Sequence, residues 1–166
     1  MVSVSSFPKL VSGYWFLDGA RKTLFNYGGV SFPVLKDASY MISQNFNGVN
    51  IGAAWSMKKV TNAFCVLWRT PLSIESMFNF ANSLGDISGR IGALDSAGDR
   101  QWVIDGRIGA LSFEKTVAQT TRSDIAAFEE IASALQDKGW LVSGVVDVDG
   151  YEIWTNPNAP VQAQLF

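Results

Sequence analysis

The sequence predicts an α+β domain in which two helices pack on an antiparallel sheet built as a meander or as hairpins. Three observations predict it: two amphipathic segments with capping residues, a hairpin signal near the C-terminus, and runs of β-favouring residues elsewhere. We expect a single domain, 1–166, because a chain of this length can bury about 70% of its unfolded surface. Extended arms are predicted at residues 1–12 and 156–166, where Ser or Pro interrupts apolar residues.

The N-terminal part of the chain is the hardest to assign. In its first 45 residues, short apolar runs are broken by the turn-forming segments Asp18-Gly19 and Gly28-Gly29 and by Pro33. Two later runs, residues 49–57 and 63–69, are rich in apolar and β-favouring side chains and are joined by a polar turn. They predict two strands.

The first helix is predicted to follow Pro71. Ser73 is placed to cap its N-terminus, Glu75 lies in its positive first turn, and Gly85 is expected to end it. Its apolar residues recur at helical spacing and predict one buried stripe: Ile74, Met77, Phe78, Ala81 and Leu84.

The second helix has stronger boundary signals. Thr121 and Asp124 have the spacing of a capping box, with Asp in place of Glu. Gly139 stands where a left-handed residue ends a helix, and Trp140 follows where a Schellman motif would pack it on Leu135. The rest of the apolar stripe is Ile125, Phe128, Ile131 and Ala132.

A hairpin is predicted between residues 141–148 and 151–155, across Asp149-Gly150. A two-residue turn would put Asp147 opposite Glu152, beside Val145 and Trp154. The other face, which we expect to be the core face, would carry four residues: Val146, Val148, Tyr151 and Ile153.

One hexapeptide, Gly-Arg-Ile-Gly-Ala-Leu, occurs at residues 89–94 and again at 106–111. It favours two strands flanking a turn. Alternatively, Arg90 and Arg107 occupy related interface positions on a ribbon whose glycines let another backbone approach closely. Two copies 17 residues apart do not predict a solenoid, which needs about three or more units.

Composition excludes several kinds of catalysis. The chain has no histidine, so Ser-His-Asp triads, Cys-His pairs and His-ligated metals are excluded. Cys65 is the one cysteine and lies in an apolar run, which predicts an inert thiol. No phosphate-binding loop is present, so no cofactor and no small-molecule ligand are expected. We predict that the protein is not an enzyme.

Carboxylates leave two alternatives open. Asp86, Asp95, Asp99 and Asp105 favour turns but could supply a catalytic pair. The hairpin residues Asp147, Asp149 and Glu152 favour a solvated turn tip. They are also a weak cation candidate, because like charges opposite each other need neutralisation, either by Ca²⁺ or by a basic residue of another subunit.

Charge and hydropathy limit the partners and the location. Lys and Arg look scattered and the net charge is −2, so nucleic acid is not expected as the main partner. No apolar run approaches the about 18 residues of a membrane span, and the N-terminus lacks the pattern of a signal peptide. We expect a location in a virion, or in the cytoplasm during assembly.

These observations predict a structural subunit of a large homomeric assembly, with copies of itself and other assembly proteins as partners. A phage or other virus capsid, decoration or tail component fits best. Charged residues are only 17% of the chain, below the about 25% that is usual, which suggests covered surface. The candidate interface residues are Trp15, Arg90, Arg107, Trp154, Leu165 and Phe166. The alternative is a carbohydrate- or receptor-binding module that uses exposed aromatic residues.

Overall fold

The computed structural model describes residues 6–16, 30–88 and 106–159. Its regular elements are α1 (Ile74–Ser83), β1 (Arg107–Phe113), α2 (Arg122–Asp137), β2 (Leu141–Asp147) and β3 (Glu152–Thr155), with a 3₁₀ turn at Val117–Gln119. The α+β class is confirmed.

The sheet is mixed, in the order β1-β2-β3. β2 pairs antiparallel with β3, but β1 pairs parallel with β2. The prediction of an all-antiparallel sheet is therefore wrong, and the described strands form no meander. The reason is that α2 lies between β1 and β2, and a helical crossover returns the chain in the same direction.

Before α1 the chain forms a stack of coils. The same parallel bridges recur from coil to coil at two positions: Ser6–Ser31–Ser56 and Ser12–Asp37–Asn62. Every step is 25 residues, which defines coil 1 (described over residues 6–16), coil 2 (31–55) and coil 3 (56–72). Backbone hydrogen bonds join them: Phe7 N donates to Ser31 O and Phe32 N to Ser56 O, both at 2.9 Å.

The strands predicted at residues 49–57 and 63–69 are wrong. In the second segment Cys65 and Arg69 have φ angles of 51° and 53°, which interrupt extended backbone. Both segments are parts of coils. They are rich in apolar residues because these side chains fill the buried interior of the coils. Five interior positions are filled at the same offset in coils 2 and 3, each at most 1% exposed: Phe32 and Met57, Leu35 and Val60, Ala38 and Ala63, Met41 and Val66, Ile42 and Leu67.

β1 stacks on coil 3 and continues it. Cys65 N donates to Ile108 O at 3.2 Å, Leu72 N donates to Ser112 O at 3.0 Å, and Leu72 forms a parallel bridge with Phe113. One backbone ladder therefore runs from coil 1 through coils 2 and 3 to β1, β2 and β3. β1 covers the edge that coil 3 would otherwise expose.

Both predicted helices are confirmed. Ser73 Oγ accepts a hydrogen bond from Ser76 N at the start of α1, which ends at Ser83, two residues before Gly85. α2 begins with the Thr121 capping box and ends in the Schellman motif: Gly139 has φ +84°, and Trp140 N donates to Leu135 O at 2.8 Å.

The hairpin differs from its prediction in register. β2 ends at Asp147 and β3 begins at Glu152, so four residues connect them, and Glu152 pairs with Val146 rather than Asp147. The cause is local: Asp147 Oδ1 accepts hydrogen bonds from the N–H groups of Asp149 and Tyr151, at 2.9 and 3.1 Å, which widens the turn.

The predicted core face of the hairpin is also wrong. Tyr151 is 69% exposed, whereas Val145 is buried and its partner Trp154 packs on Phe128 of α2 with ring centroids 6.3 Å apart. The face that carries Val145 and Trp154 therefore meets the core, because α2 covers that side of the sheet.

The described parts of the predicted arms are folded. Residues 6–12 belong to coil 1. At the other end Asn156 N donates to Ser143 O at 3.0 Å, and its side-chain amide donates to Val142 O at 2.9 Å. Residues 1–5 and 160–166 lie outside the described residues.

Candidate assembly surface

Trp15 lies in an exposed aromatic cluster on coil 1. Its ring stacks on that of Tyr40, the equivalent residue of coil 2, with centroids 5.2 Å apart and planes inclined by 17°. Tyr14 packs edge-on against both rings, at 5.9 and 5.8 Å. Trp15 is 46% exposed and Tyr14 is 55% exposed. Within the described residues Trp15 is the last ring of this column, so no ring there covers its second face.

A repeated turn aligns these rings. The side-chain oxygen at the start of the turn accepts the N–H group two residues later in each coil: Ser12 from Tyr14, Asp37 from Ser39, and Asn62 from Phe64. The next residue is left-handed each time, with φ of 57° at Trp15, 53° at Tyr40 and 51° at Cys65. Because the backbone repeats, the side chains stack in register.

A second group of stacked rings joins coil 1 to coil 2. Phe7 stacks on Phe32 with centroids 5.2 Å apart, and Phe16 packs edge-on against Phe7 at 5.4 Å. Four large apolar residues of coil 1 are exposed by 41–55%: Val11, Tyr14, Trp15 and Phe16. We call them the coil 1 apolar surface. Exposed apolar residues grouped in this way are typical of contact sites.

Cys65 occupies the Trp15 and Tyr40 position in coil 3. It is half-buried, and burial raises the pKa of its thiol to about 11. Burial also raises the pKa of the Tyr40 hydroxyl to about 12, and the hydrogen bond between the two groups adds to that rise. The thiol is protonated at neutral pH, so its environment does not activate it as a nucleophile.

The other predicted interface residues are differently placed. Trp154 is half-buried against Phe128, so it is a packing residue more than a free surface anchor. Arg107 is half-buried at the start of β1, and burial lowers the pKa of its guanidinium. Arg90, Leu165 and Phe166 lie outside the described residues, as does the first Gly-Arg-Ile-Gly-Ala-Leu segment.

The acidic hairpin residues do not converge. Asp147 uses its carboxylate in the turn, and Glu152 accepts a hydrogen bond from Thr155 Oγ1. Over residues 6–16, 30–88 and 106–159, no three His, Cys, Asp or Glu side chains are grouped to hold a metal ion, and Asp147, Asp149 and Glu152 are within these ranges.

Of the four aspartates that could supply a catalytic pair, only Asp86 is within the described residues. It is exposed, and its Oδ1 accepts a hydrogen bond from Ser88 N at 2.8 Å. Asp95, Asp99 and Asp105 lie outside the described residues, so this alternative stays a prediction.

A basic corner of the coil stack was missed from the sequence. Four lysines lie on the same turn of successive coils: Lys9, Lys36, Lys58 and Lys59. The turn spans residues 8–11, 33–36 and 58–61. Lys58 donates to two carbonyl oxygens at the C-terminus of α1, those of Asn82 and Leu84, and so stabilises the negative end of that helix. The 25-residue offset, visible as Ser-Phe-Pro at residues 6–8 and 31–33, was the signal that could have revealed it.

No described helix is long and apolar enough to cross a membrane. Comparison with known proteins finds no match to a family model, a curated protein or a solved structure. Function is therefore inferred from the described side chains.

Proposed function

We propose that this protein is a non-enzymatic structural subunit of a large homomeric assembly, and that the assembly is a virion in which it serves as a capsid, decoration or tail component. The observation that carries the proposal is the coil 1 apolar surface. It groups Val11, Tyr14, Trp15 and Phe16 on coil 1 of a stack whose interior side chains are buried.

The construction of the coil stack supports a contact role. Each coil buries its apolar residues against the next one, as repeat proteins do, and the first coil has a neighbour on one side within the described residues. Coil 1 exposes three aromatic side chains, and large aromatics are the residues that dominate protein interfaces.

The proposal is tested by the mass of the purified, untagged protein, measured by light scattering over a wide range of concentration. We expect a large discrete or growing species. Trp15→Asn should weaken the association, since Asn removes the ring and tolerates the left-handed backbone at this position. Tyr151→Asn is the matched control, because Tyr151 is equally aromatic and 69% exposed but lies on the hairpin.

A monomer near 18.1 kDa at every concentration would refute the assembly role. Equal loss of association in both variants would place the contact elsewhere.

A second candidate function is favoured by one observation. The ring face of Trp15 that points away from Tyr40 has the form needed to stack on a pyranose ring, whereas the stacked face of Tyr40 is covered. A glycan-binding protein would stay small in solution and would show a shift in tryptophan fluorescence with glycan that Trp15→Asn abolishes. A silent glycan screen would eliminate this candidate.

A further inference from the structure

The chain separates its charges by region, which the near-neutral total hides. Residues 1–72 contain seven basic and two acidic side chains, a net charge of +5. Residues 73–166 contain six basic and thirteen acidic side chains, a net charge of −7. The boundary coincides with the end of the coil stack, because α1 begins at Ile74.

The basic side chains are available on one corner of the coils. Lys9, Lys36 and Lys59 are exposed and lie on the same turn of coils 1, 2 and 3. Within the described residues none of the three forms a salt bridge. Lys58, on the same turn, instead donates hydrogen bonds to carbonyl oxygens at the end of α1. No described carboxylate therefore pairs directly with Lys9, Lys36 or Lys59.

Within residues 73–166 the described acidic side chains are grouped on the elements that follow β1, apart from Glu75 of α1 and Asp86, which precede it. Five are exposed, on α2 and on the hairpin: Glu129, Glu130, Asp137, Asp149 and Glu152. Asp124 of α2 is different, because Lys115 Nζ neutralises its carboxylate at 2.9 Å. No described basic side chain forms a salt bridge with the five exposed acidic ones.

The backbone ladder has unlike ends. Coil 1 is one end and β3 is the other, and each pairs with one described neighbour, coil 2 and β2 respectively. A contact between two lysine corners, or between two acidic surfaces of α2 and the hairpin, would bring like charges together. Contact between unlike surfaces is electrostatically favourable. A two-fold contact of this kind would close at a dimer, so a large assembly requires the heterologous form, which repeats into rings or filaments.

We propose that copies of this protein associate head to tail, with the lysine corner of the coil stack in one copy facing the acidic surface of α2 and the hairpin in the next. The occupant is a second copy because the same chain supplies both complementary charges. This inference rests on the proposed function, since it requires self-association, and it adds the polarity of the contact.

The experiment measures light scattering of the full-length protein as salt is raised from about 0.01 M to about 1 M, over which the Debye length falls from about 30 Å to about 3 Å. Assembly should decline with salt. Two charge-reversed proteins are compared, Lys9→Glu/Lys36→Glu/Lys59→Glu and Glu129→Lys/Glu130→Lys/Asp137→Lys. In low salt each should need a concentration about tenfold higher or more for half-maximal assembly.

Controls separate charge from folding. Lys9→Arg/Lys36→Arg/Lys59→Arg keeps the charge and should assemble like the unmodified protein. A chain that carries both sets of reversals has its two surfaces exchanged in sign and should regain assembly. Far-UV circular dichroism must match throughout.

The outcomes are distinguishable. If the unmodified protein never assembles, both the proposed function and this inference fail. If it assembles but the reversals and salt have no effect, only the head-to-tail inference fails. It also fails if the lysine reversals abolish binding to a polyanion such as heparin while leaving assembly intact.

Discussion

The coil stack and the C-terminal unit, which comprises β1, α2, β2 and β3, belong to one backbone ladder but are organised by different distances along the chain. In the C-terminal unit each element is bounded by contacts within a few residues, such as the Thr121–Asp124 box of α2. In the coil stack the contacts that join one coil to the next span about 25 residues, in addition to local turns within each coil. The comparison shows that a region without helices or strands can still be periodic when the same contacts recur from one coil to the next.

The two regions meet at a buried junction beside the C-terminus of α1. Trp140 Nε1 donates to Gly85 O at 2.8 Å, and Lys138 Nζ donates to Ala81 O at 2.8 Å. Gly139 lies directly against the backbone of Ser88. We expect the regions to unfold together because this junction ties the end of α2 to the C-terminus of α1, which Lys58 of coil 3 also contacts.

The largest effect is expected from breaking that junction with Gly139→Ala. A Cβ would lie 2.6 Å from the N and Cα atoms of Ser88, and φ is +84°. The left-handed backbone costs about 1–2 kcal/mol and the overpacking adds about 1–3 kcal/mol, so the free energy of unfolding should fall by about 3 kcal/mol.

Gly150→Ala is its control, since φ is +90° but nothing lies within 4 Å of the added Cβ. It should cost only the backbone term of about 1 kcal/mol, measured by urea unfolding. Equal losses of unfolding free energy in the two variants would mean that Ser88 moves aside at no energetic cost, which would contradict tight packing at the junction.

A smaller, stabilising effect is expected in the coil stack. Gln44 and its equivalent one coil later, Arg69, have φ of 57° and 53°. Glycine relieves about 1–2 kcal/mol of steric cost and loses about 0.5–1 kcal/mol in unfolded-state freedom, so Gln44→Gly should raise the free energy of unfolding by about 0.5–1 kcal/mol. Gln44→Ala keeps a Cβ and should give no gain. A gain with Ala, or a loss with Gly, would show that the corner is not strained.

The last effect is absent at neutral pH and appears as a dependence of stability on alkaline pH within the coils. The pKa of Cys65 rises from 9.0 to about 11 on folding, so its contribution is fully present below pH 9 and is lost as pH approaches 11. Cys65→Ala should flatten the decline of the unfolding free energy in this window. It should also lower the pKa of Tyr40 from about 12, because Cys65 helps to raise it.

Tyrosinate absorbance follows that titration directly. An unchanged Tyr40 pKa in the Cys65→Ala protein would contradict the contact between the two side chains.

The parts predicted correctly are those in which neighbours along the chain decide the structure. The caps of α1 and α2 and the Schellman motif at Gly139 depend on residues at most five positions apart. The hairpin shows the limit. Asp149-Gly150 marked the turn, but the carboxylate of Asp147 captured two backbone N–H groups and shifted the register. Among the site residues, Trp15 was identified as exposed, whereas Trp154 is half covered by α2 packing on the sheet.

The sequence alone determined the two helices, their ends, the mixed α+β class and the absence of histidine chemistry. Those properties follow from propensity, capping and composition, which are local or additive. Tertiary structure decided the coil stack, the parallel pairing of β1 with β2, the stacking of Trp15 on Tyr40 and the lysine corner. Each of these depends on contacts between residues about 25 or more positions apart, whose free energy appears only when the neighbouring coils or strands have formed.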